Sequence, residues 1–270
     1  MESQFPDLQL LKLGGSLITD KSKAHTPRPA VIKRLAQEIA EAKHRNPALK
    51  LILGNGAGSF GHVPAKRYGT REGVHTPAAW RGFVEVWREA RALNQVVMEI
   101  LWESGLPAVV FSPSASVTSD EGYITVWNLE PIKAALQAGL LPVIHGDVAF
   151  DMGRGGTILS TEDLFAHLAR HLRPKRILLA GIEAGVWADY PACTRLVTEI
   201  TPANWESLAA SLRGSAGTDV TGGMASKVHQ SLELVVEIRG LQIRIFSGEQ
   251  EGLVRGALGG EAVGTGVMGS

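Results

Sequence analysis

Gly54-Asn55-Gly56-Ala57-Gly58-Ser59-Phe60-Gly61-His62 is the stretch on which the reading of this chain turns. It follows the apolar run Leu49-Lys50-Leu51-Ile52-Leu53, which reads as a buried strand. A polar segment and then a long helical pattern come after it. Glycine at 54, 56, 58 and 61 brings the backbone close to whatever binds there, and the N–H groups of such a loop suit an anion. His62 closes the run with the side chain type that ordinarily titrates near neutral pH. Alone, the stretch fits equally well a tight strand-to-helix turn with a surface histidine.

The chain around it has 270 residues, 44% of them hydrophobic, which is enough for a sizeable core. Lys+Arg and Asp+Glu each number 27, so the formal net charge is zero. A nucleic-acid partner is not expected at that balance. The single cysteine, Cys193, excludes an intramolecular disulfide and a cysteine-rich metal site, and no metal-ligand cluster is evident. No apolar run reaches the roughly 18 residues of a membrane span, and the first residues lack the pattern of a signal peptide. A soluble cytoplasmic protein without a membrane partner is the expectation.

Strand and helix signals alternate along the chain, which points to a mostly parallel sheet covered on both faces. Strands are expected at 8–13, 49–53, 108–111 (buried), 141–144, 176–180, 196–200, 242–246 and near 264. Helices are expected at 28–43, 78–104, 128–138, 162–171, 224–239 and 252–258. Asp120-Glu121-Gly122 and Gly153-Arg154-Gly155-Gly156 read as the turns of two hairpins. No linker interrupts the chain. A single domain over 1–270 is expected, its two lobes meeting near residue 172.

Three further loops share the chemistry of the first. Lys12-Leu13-Gly14-Gly15-Ser16 sets a cation at a strand end with backbone amides just beyond it, an arrangement that could hold phosphate. Lys21 can supply a second cation. Asp219-Val220-Thr221-Gly222-Gly223-Met224-Ala225-Ser226-Lys227 is a glycine-rich helix entry with Lys227 one turn inside. His145-Gly146-Asp147 leaves another strand end. Taken singly, these also fit a strand-end lysine reaching solvent, a helix start with a solvated lysine, and a buried histidine beside a capping aspartate.

Their order decides between the readings. Lys-Leu-Gly-Gly-Ser, Gly-x-Gly-Ala-Gly-Ser-Phe-Gly-His, Pro-Val-Ile-His-Gly-Asp and Asp-Val-Thr-Gly-Gly-Met-x-x-Lys together resemble the amino acid kinase superfamily, from Leu11 to Gly264-Thr265-Gly266. Within it, Ser59-Phe60-Gly61-His62 with His145-Gly146-Asp147 resembles the isopentenyl phosphate kinases. The resemblance implies an open three-layer αβα sandwich with a mostly parallel central sheet and hairpin insertions. It implies an acceptor lobe over about 1–172, an ATP lobe over about 173–270, and often a homodimer. The implied reaction moves the γ-phosphoryl group of ATP onto isopentenyl phosphate, with Mg²⁺ accompanying ATP.

Carried onto this chain, the resemblance assigns Lys12, Gly14, Gly15, Ser16 and Gly58 to the ATP phosphates, together with Gly222, Gly223 and Lys227. Gly181, Glu183 and Gly185 fall in its nucleotide loop. Lys21 would stabilise the transferring group. His62, beside Gly56, Ala57 and Gly58, would hold the acceptor phosphate, with Asp147 and Thr161 also on the acceptor. Trp80, Phe83 and Trp87 recur at helical spacing and resemble the family's tail-binding helix, although such a stripe also fits plain core.

The chain departs from the family in three places. Asn55 stands where a histidine is common. Gly181-Ile182-Glu183-Ala184-Gly185-Val186 replaces a Thr-Asp-Val-Asp-Gly-Val-like loop. Ser160-Thr161-Glu162-Asp163 replaces a Ser-Gly-Asp-like stretch. Another small phosphate or phosphonate acceptor, or a non-catalytic nucleotide sensor, are the alternatives.

Overall fold

The structure is a computed structural model that describes residues 4–212 and 223–269. Strand β1 (Leu8–Leu13) passes through a single helical turn, α1 (Gly15–Ile18), to α2 (Pro29–Arg45) and β2 (Lys50–Asn55). Then come α3 (Gly58–Tyr68), α4 (Pro77–Glu103), β3 (Ala108–Val110), α5 (Pro113–Ser116), β4 (Val117–Asp120) and β5 (Tyr123–Trp127). Helix α6 (Glu130–Gln137) leads to β6 (Leu141–His145), β7 (Asp147–Asp151), β8 (Gly155–Leu159) and α7 (Thr161–Leu172). The remainder is β9 (Arg176–Gly181), β10 (Val186–Trp187), β11 (Leu196–Val197), β12 (Glu199–Ile200), α8 (Pro202–Leu212), α9 (Gly223–Glu237), β13 (Gln242–Ser247), α10 (Leu253–Gly259) and β14 (Thr265–Met268).

Eight strands form one sheet in the order β12-β14-β13-β9-β1-β2-β6-β3, parallel throughout except where β13 meets β14. The fold is therefore the mostly parallel α/β sandwich that the alternating signals predict. Side chains alternate across β1: Leu8 and Leu10 enter the core on one face of the sheet, Leu11 and Leu13 the core on the other. On the first face lie α6, α7 and α9, and on the second α2, α4 and α10. A separate four-stranded sheet, β5-β4-β7-β8, contains both expected hairpins. The buried Asp151 carboxylate binds their turns together, accepting from Ser119 Oγ and from the amides of Glu121, Gly122, Gly153 and Arg154. Burial opposes its ionisation, but these donors outweigh burial and hold the carboxyl below its ordinary range.

Registers place the business ends of the strands together. Leu13 lies opposite Asn55 on one side and Ala180 on the other, Asn55 lies opposite His145, and Gly181 lies opposite Ser247. The carboxyl ends of β1, β2, β6 and β9 thus share one rim, with β1 where the chain turns from building one half of the sheet to the other. Open parallel sheets bind ligands at such a point.

Three local expectations change. Residues 58–62 are not loop but the start of α3, because two glycine turns dock there backbone to backbone and leave only Gly56 and Ala57 between strand and helix. Residues 108–110 are an edge strand with Val109 and Val110 exposed, since nothing pairs beyond β3 in the sheet order. The stretch 196–200 divides, β11 pairing with β10 while β12 joins the main sheet.

Candidate active site

A cavity of about 420 Å³ opens along the rim of strand ends. That volume suits a small-molecule ligand. Its floor consists of two glycine turns in contact. A Cβ on Gly15 would lie 2.3 Å from Gly58 N, and one on Gly58, whose φ is +52°, would lie 2.2 Å from Thr19 Oγ1. Only glycine permits this approach, which sets α1 and α3 side by side. Thr19 secures the junction, its hydroxyl donating to Gly15 O and accepting from Ser59 N. Gly14, Gly15 and Ser16 line the cavity from one turn, and Gly56, Ala57, Gly58 and His62 from the other.

The charged end is organised by an acid that the motifs do not single out. Lys12 Nζ bonds to Glu162, with both side chains only 12% exposed. Burial alone would raise the pKa of Glu162; the charge of Lys12, then that of Lys227, and the hydrogen bond from Lys12 prevail and hold it lowered. The carboxylate is therefore paired with a lysine from β1 and feels the charge of one from α9. In the sequence Glu162 is only part of a departure from the family pattern; the geometry pairs it with the cavity-lining Lys12.

Helix α7 fixes that acid through a capping box, in which Ser160 Oγ accepts from Asp163 N and Asp163 Oδ2 accepts from Ser160 N. Thr161, at the first helical position, is buried and donates to Asn55 O at 2.8 Å. Asn55 is itself buried and accepts from Asn94 Nδ2 at 2.9 Å. It acts here as a tie between β2, α4 and α7.

The other end of the cavity is apolar. Val86 and Ala90, four residues apart on α4, line it with Ala65 and Ile158. Trp80, Phe83 and Trp87 are not among the lining residues, which corrects the expected tail wall. Phe83 is buried against Trp80 and Phe150 at ring distances of 5.1 and 5.4 Å. Trp87 lies beneath the Arg91 guanidinium. The aromatic stripe packs α4 onto the hairpin sheet, and the face one turn further along meets the cavity. Lys66 and Arg71 also line the cavity, Arg71 paired with Asp163, and carry no sequence signal of their own.

Of the remaining expected residues, Lys21, Asp147, Thr161, Gly181, Glu183 and Lys227 line the cavity. Asp147 is buried; desolvation raises its pKa against the opposing charge of His145 and hydrogen bonds from Ser114 and Val148. Gly185 does not line the cavity. It lies where a Cβ would meet Thr265 Oγ1 at 2.5 Å, a packing reason for glycine. Gly223 begins α9 without reaching the cavity wall, and Gly222 lies outside the described residues.

The sequence model described as the Amino acid kinase family matches residues 7–247. This chain belongs to the amino acid kinase family. An isopentenyl phosphate kinase from Methanocaldococcus jannaschii is 33% identical over 96% of this chain and 97% of that protein. One from Methanothermobacter thermautotrophicus is also 33% identical, over 94% of this chain and 96% of its own length. The family member is also similar to a solved isopentenyl phosphate kinase at a TM-score of 0.79 and 28% identity, covering 97% of this chain and 100% of that one. These relatives are kinases, and this amino acid kinase is a phosphotransferase. Among its described residues no helix is long and apolar enough to cross a membrane.

Proposed function

We propose that this kinase transfers the γ-phosphoryl group of ATP to isopentenyl phosphate, forming isopentenyl diphosphate. One observation carries the reading: a single cavity joins a lysine- and amide-lined end to an apolar end formed by Ala65, Val86, Ala90 and Ile158. Such a cavity suits an acceptor with an anionic head and a short hydrocarbon tail. The full-length similarity to isopentenyl phosphate kinases supports the same acceptor.

In this reading the C-terminal half, with Gly181, Glu183 and Lys227, holds ATP, and the N-terminal half up to about residue 172 holds the acceptor. Lys12 and the amides of Gly14, Gly15 and Ser16 receive the ATP phosphates at the seam. Lys21 neutralises charge gathering on the moving group. His62 and the amides at the start of α3 orient the acceptor phosphate. An oxygen of that phosphate attacks the γ-phosphorus, the bond to the β–γ bridging oxygen breaks, and ADP leaves. The attacking oxygen is already anionic, so the reaction needs alignment and cations more than a general base.

The donor set also bears on Mg²⁺. Among the described residues no three His, Cys, Asp or Glu side chains gather into a metal site, and Glu162 is engaged by lysine. The ion would arrive with ATP, held by phosphates and water, and neutralise phosphate charge.

Mass-spectrometric detection of isopentenyl diphosphate, coupled to ADP release, tests the assignment. Isopentenyl phosphate should outrun dimethylallyl, longer prenyl and phosphonate acceptors. Preference for a phosphonate would replace the acceptor, and nucleotide binding without ADP release would replace the activity. The reading extends to a cytoplasmic homodimer, tested by light scattering and by imaging of the tagged chain.

A further inference from the structure

We infer that His25, clipped to Glu89, is a positioning residue that holds Lys21 in register with His62. The inference rests on the proposed role of Lys21. Lys21 sits on a short loop between α1 and α2, and four residues later His25 adopts a φ of +51°. A left-handed histidine is uncommon, and backbone outliers of this kind persist where surrounding contacts over-determine them.

The contacts here are specific. Asp20 N donates to Thr26 O and Arg28 N to Ile18 O, closing the loop at its base. Asp20 Oδ1 accepts from the amide and the hydroxyl of Ser22, shaping the turn around Lys21. The far side of the loop is attached to the first turn of α3. His25 N donates to Ser59 O, Thr26 N donates to Ser59 Oγ, and the His25 ring meets Phe60 edge-on at 5.5 Å. Its Nδ1 then reaches Glu89 Oε2 on α4 at 2.6 Å.

One side chain therefore joins three pieces of the site: the Lys21 loop, the helix that carries His62, and the helix whose Val86 and Ala90 line the apolar end. Without the clip, Lys21 has only the loop base and the Ser59 contacts to set its position, and it is itself exposed. The Nδ1 contact is an ion pair when the ring is protonated and a hydrogen bond when Nδ1 alone carries the proton. Either form can hold the loop, so the clip acts through geometry. A cation at a transferring phosphoryl group contributes only when aligned, and a shift of about 1 Å in such a group can cost on the order of a hundredfold in rate.

Steady-state kinetics with ATP and isopentenyl phosphate, on Lys21→Ala, His25→Ala, Glu89→Ala and His25→Asn, test the clip. His25→Ala and Glu89→Ala should lower kcat by roughly tenfold, with each KM changed by less than about threefold, the pattern of a lost transition-state contact. Trypsin should nick the folded His25→Ala protein after Lys21 and Lys23 faster than the parent, at an unchanged thermal midpoint. His25→Asn, which tolerates the left-handed backbone and keeps a donor, should recover most of kcat. Parental kcat and parental nicking in folded His25→Ala, beside a crippled Lys21→Ala, would overturn the clip alone. Parental kcat in Lys21→Ala would instead remove the role of Lys21 on which the inference stands. A fall in thermal midpoint that accounts for the whole loss of activity in both clip variants would make His25 merely structural and overturn the inference.

Discussion

The two ends of the cavity are made in different ways. The charged end is backbone and ions: two glycine turns in contact, and a carboxylate paired with Lys12 in the field of Lys227. The apolar end is side-chain volume from α3, α4 and β8. Charge at a site can be lost outright by removing one group, whereas volume can be taken from the wall by degrees. Mutations at the two ends should therefore differ in kind as well as in size.

The most disruptive change should be one that touches neither end. Phe83→Ala removes a buried ring behind the apolar wall and should cost about 3–5 kcal/mol of stability by chemical denaturation. Acceptor-length preference should stay parental in the fraction that remains folded. A changed preference with little loss of stability would put Phe83 in the wall and erase the distinction between wall and packing.

Glu162→Ala comes next and tests the charged end. It leaves Lys12 without its paired acid and Lys227 without that charge nearby, and kcat should fall about 10²–10³-fold, equivalent to roughly 3–4 kcal/mol of transition-state stabilisation. Single-turnover phosphoryl transfer provides the measurement. A loss confined to ATP affinity would show that the acid serves binding alone.

His62→Ala should lower kcat/KM for the acceptor by about ten- to a hundredfold, the worth of a charge-assisted hydrogen bond of roughly 1.5–3 kcal/mol. ATP affinity, measured by calorimetry, should hardly change. His62→Gln should keep part of the activity through a neutral donor.

At the apolar end the effect is smaller. Val86→Ala should shift relative kcat/KM toward longer prenyl monophosphates by about tenfold, as the loss of a pair of methyl groups allows. An unchanged ratio would move the tail elsewhere in the cavity.

The effects of pH fall on stability rather than on rate, and they again separate charge from packing. The folded carboxyl of Glu162 lies below its ordinary value of 4.5, so its contribution is present above that pH and is lost as pH falls through the folded value. His167, outside the cavity, is pushed down to about 4 by burial, with help from His171 and Arg170. The unfolded chain then binds more protons than the folded one between about 6.5 and 4, so stability should decline as pH falls across that window. Thermal midpoints against pH should lose this upper slope in His167→Gln and the lower one in Glu162→Gln.

Much of this was open to sequence reading because it depends on local chemistry. The lysine at a strand end, the glycine turns and the apolar periodicity each follow from backbone and solvent rules acting over a few residues. Their order along the chain was enough to place Lys12, Gly15, His62 and Lys227 together in one family's site, and the strand registers give that grouping its rim. The helical start at Gly58 escaped detection, because four glycines lower helix propensity and only docking against Gly15 and Thr19 makes the turn favourable.

The sequence by itself determined the alternation of strands and helices, the two-faced core and most of the lysines and glycines that line the cavity, since periodicity and residue chemistry act without knowing the partner. Only the tertiary structure decided which turns of α4 meet the cavity, because Trp80, Phe83, Val86 and Ala90 share one apolar face and its packing on the hairpin sheet sets where along the helix the cavity begins. It also decided that Glu162 pairs with Lys12, 150 positions away in the chain. No local signal marks such a pairing, which exists only because β1 ends and α7 begins at the same rim and burial leaves each charge dependent on the other.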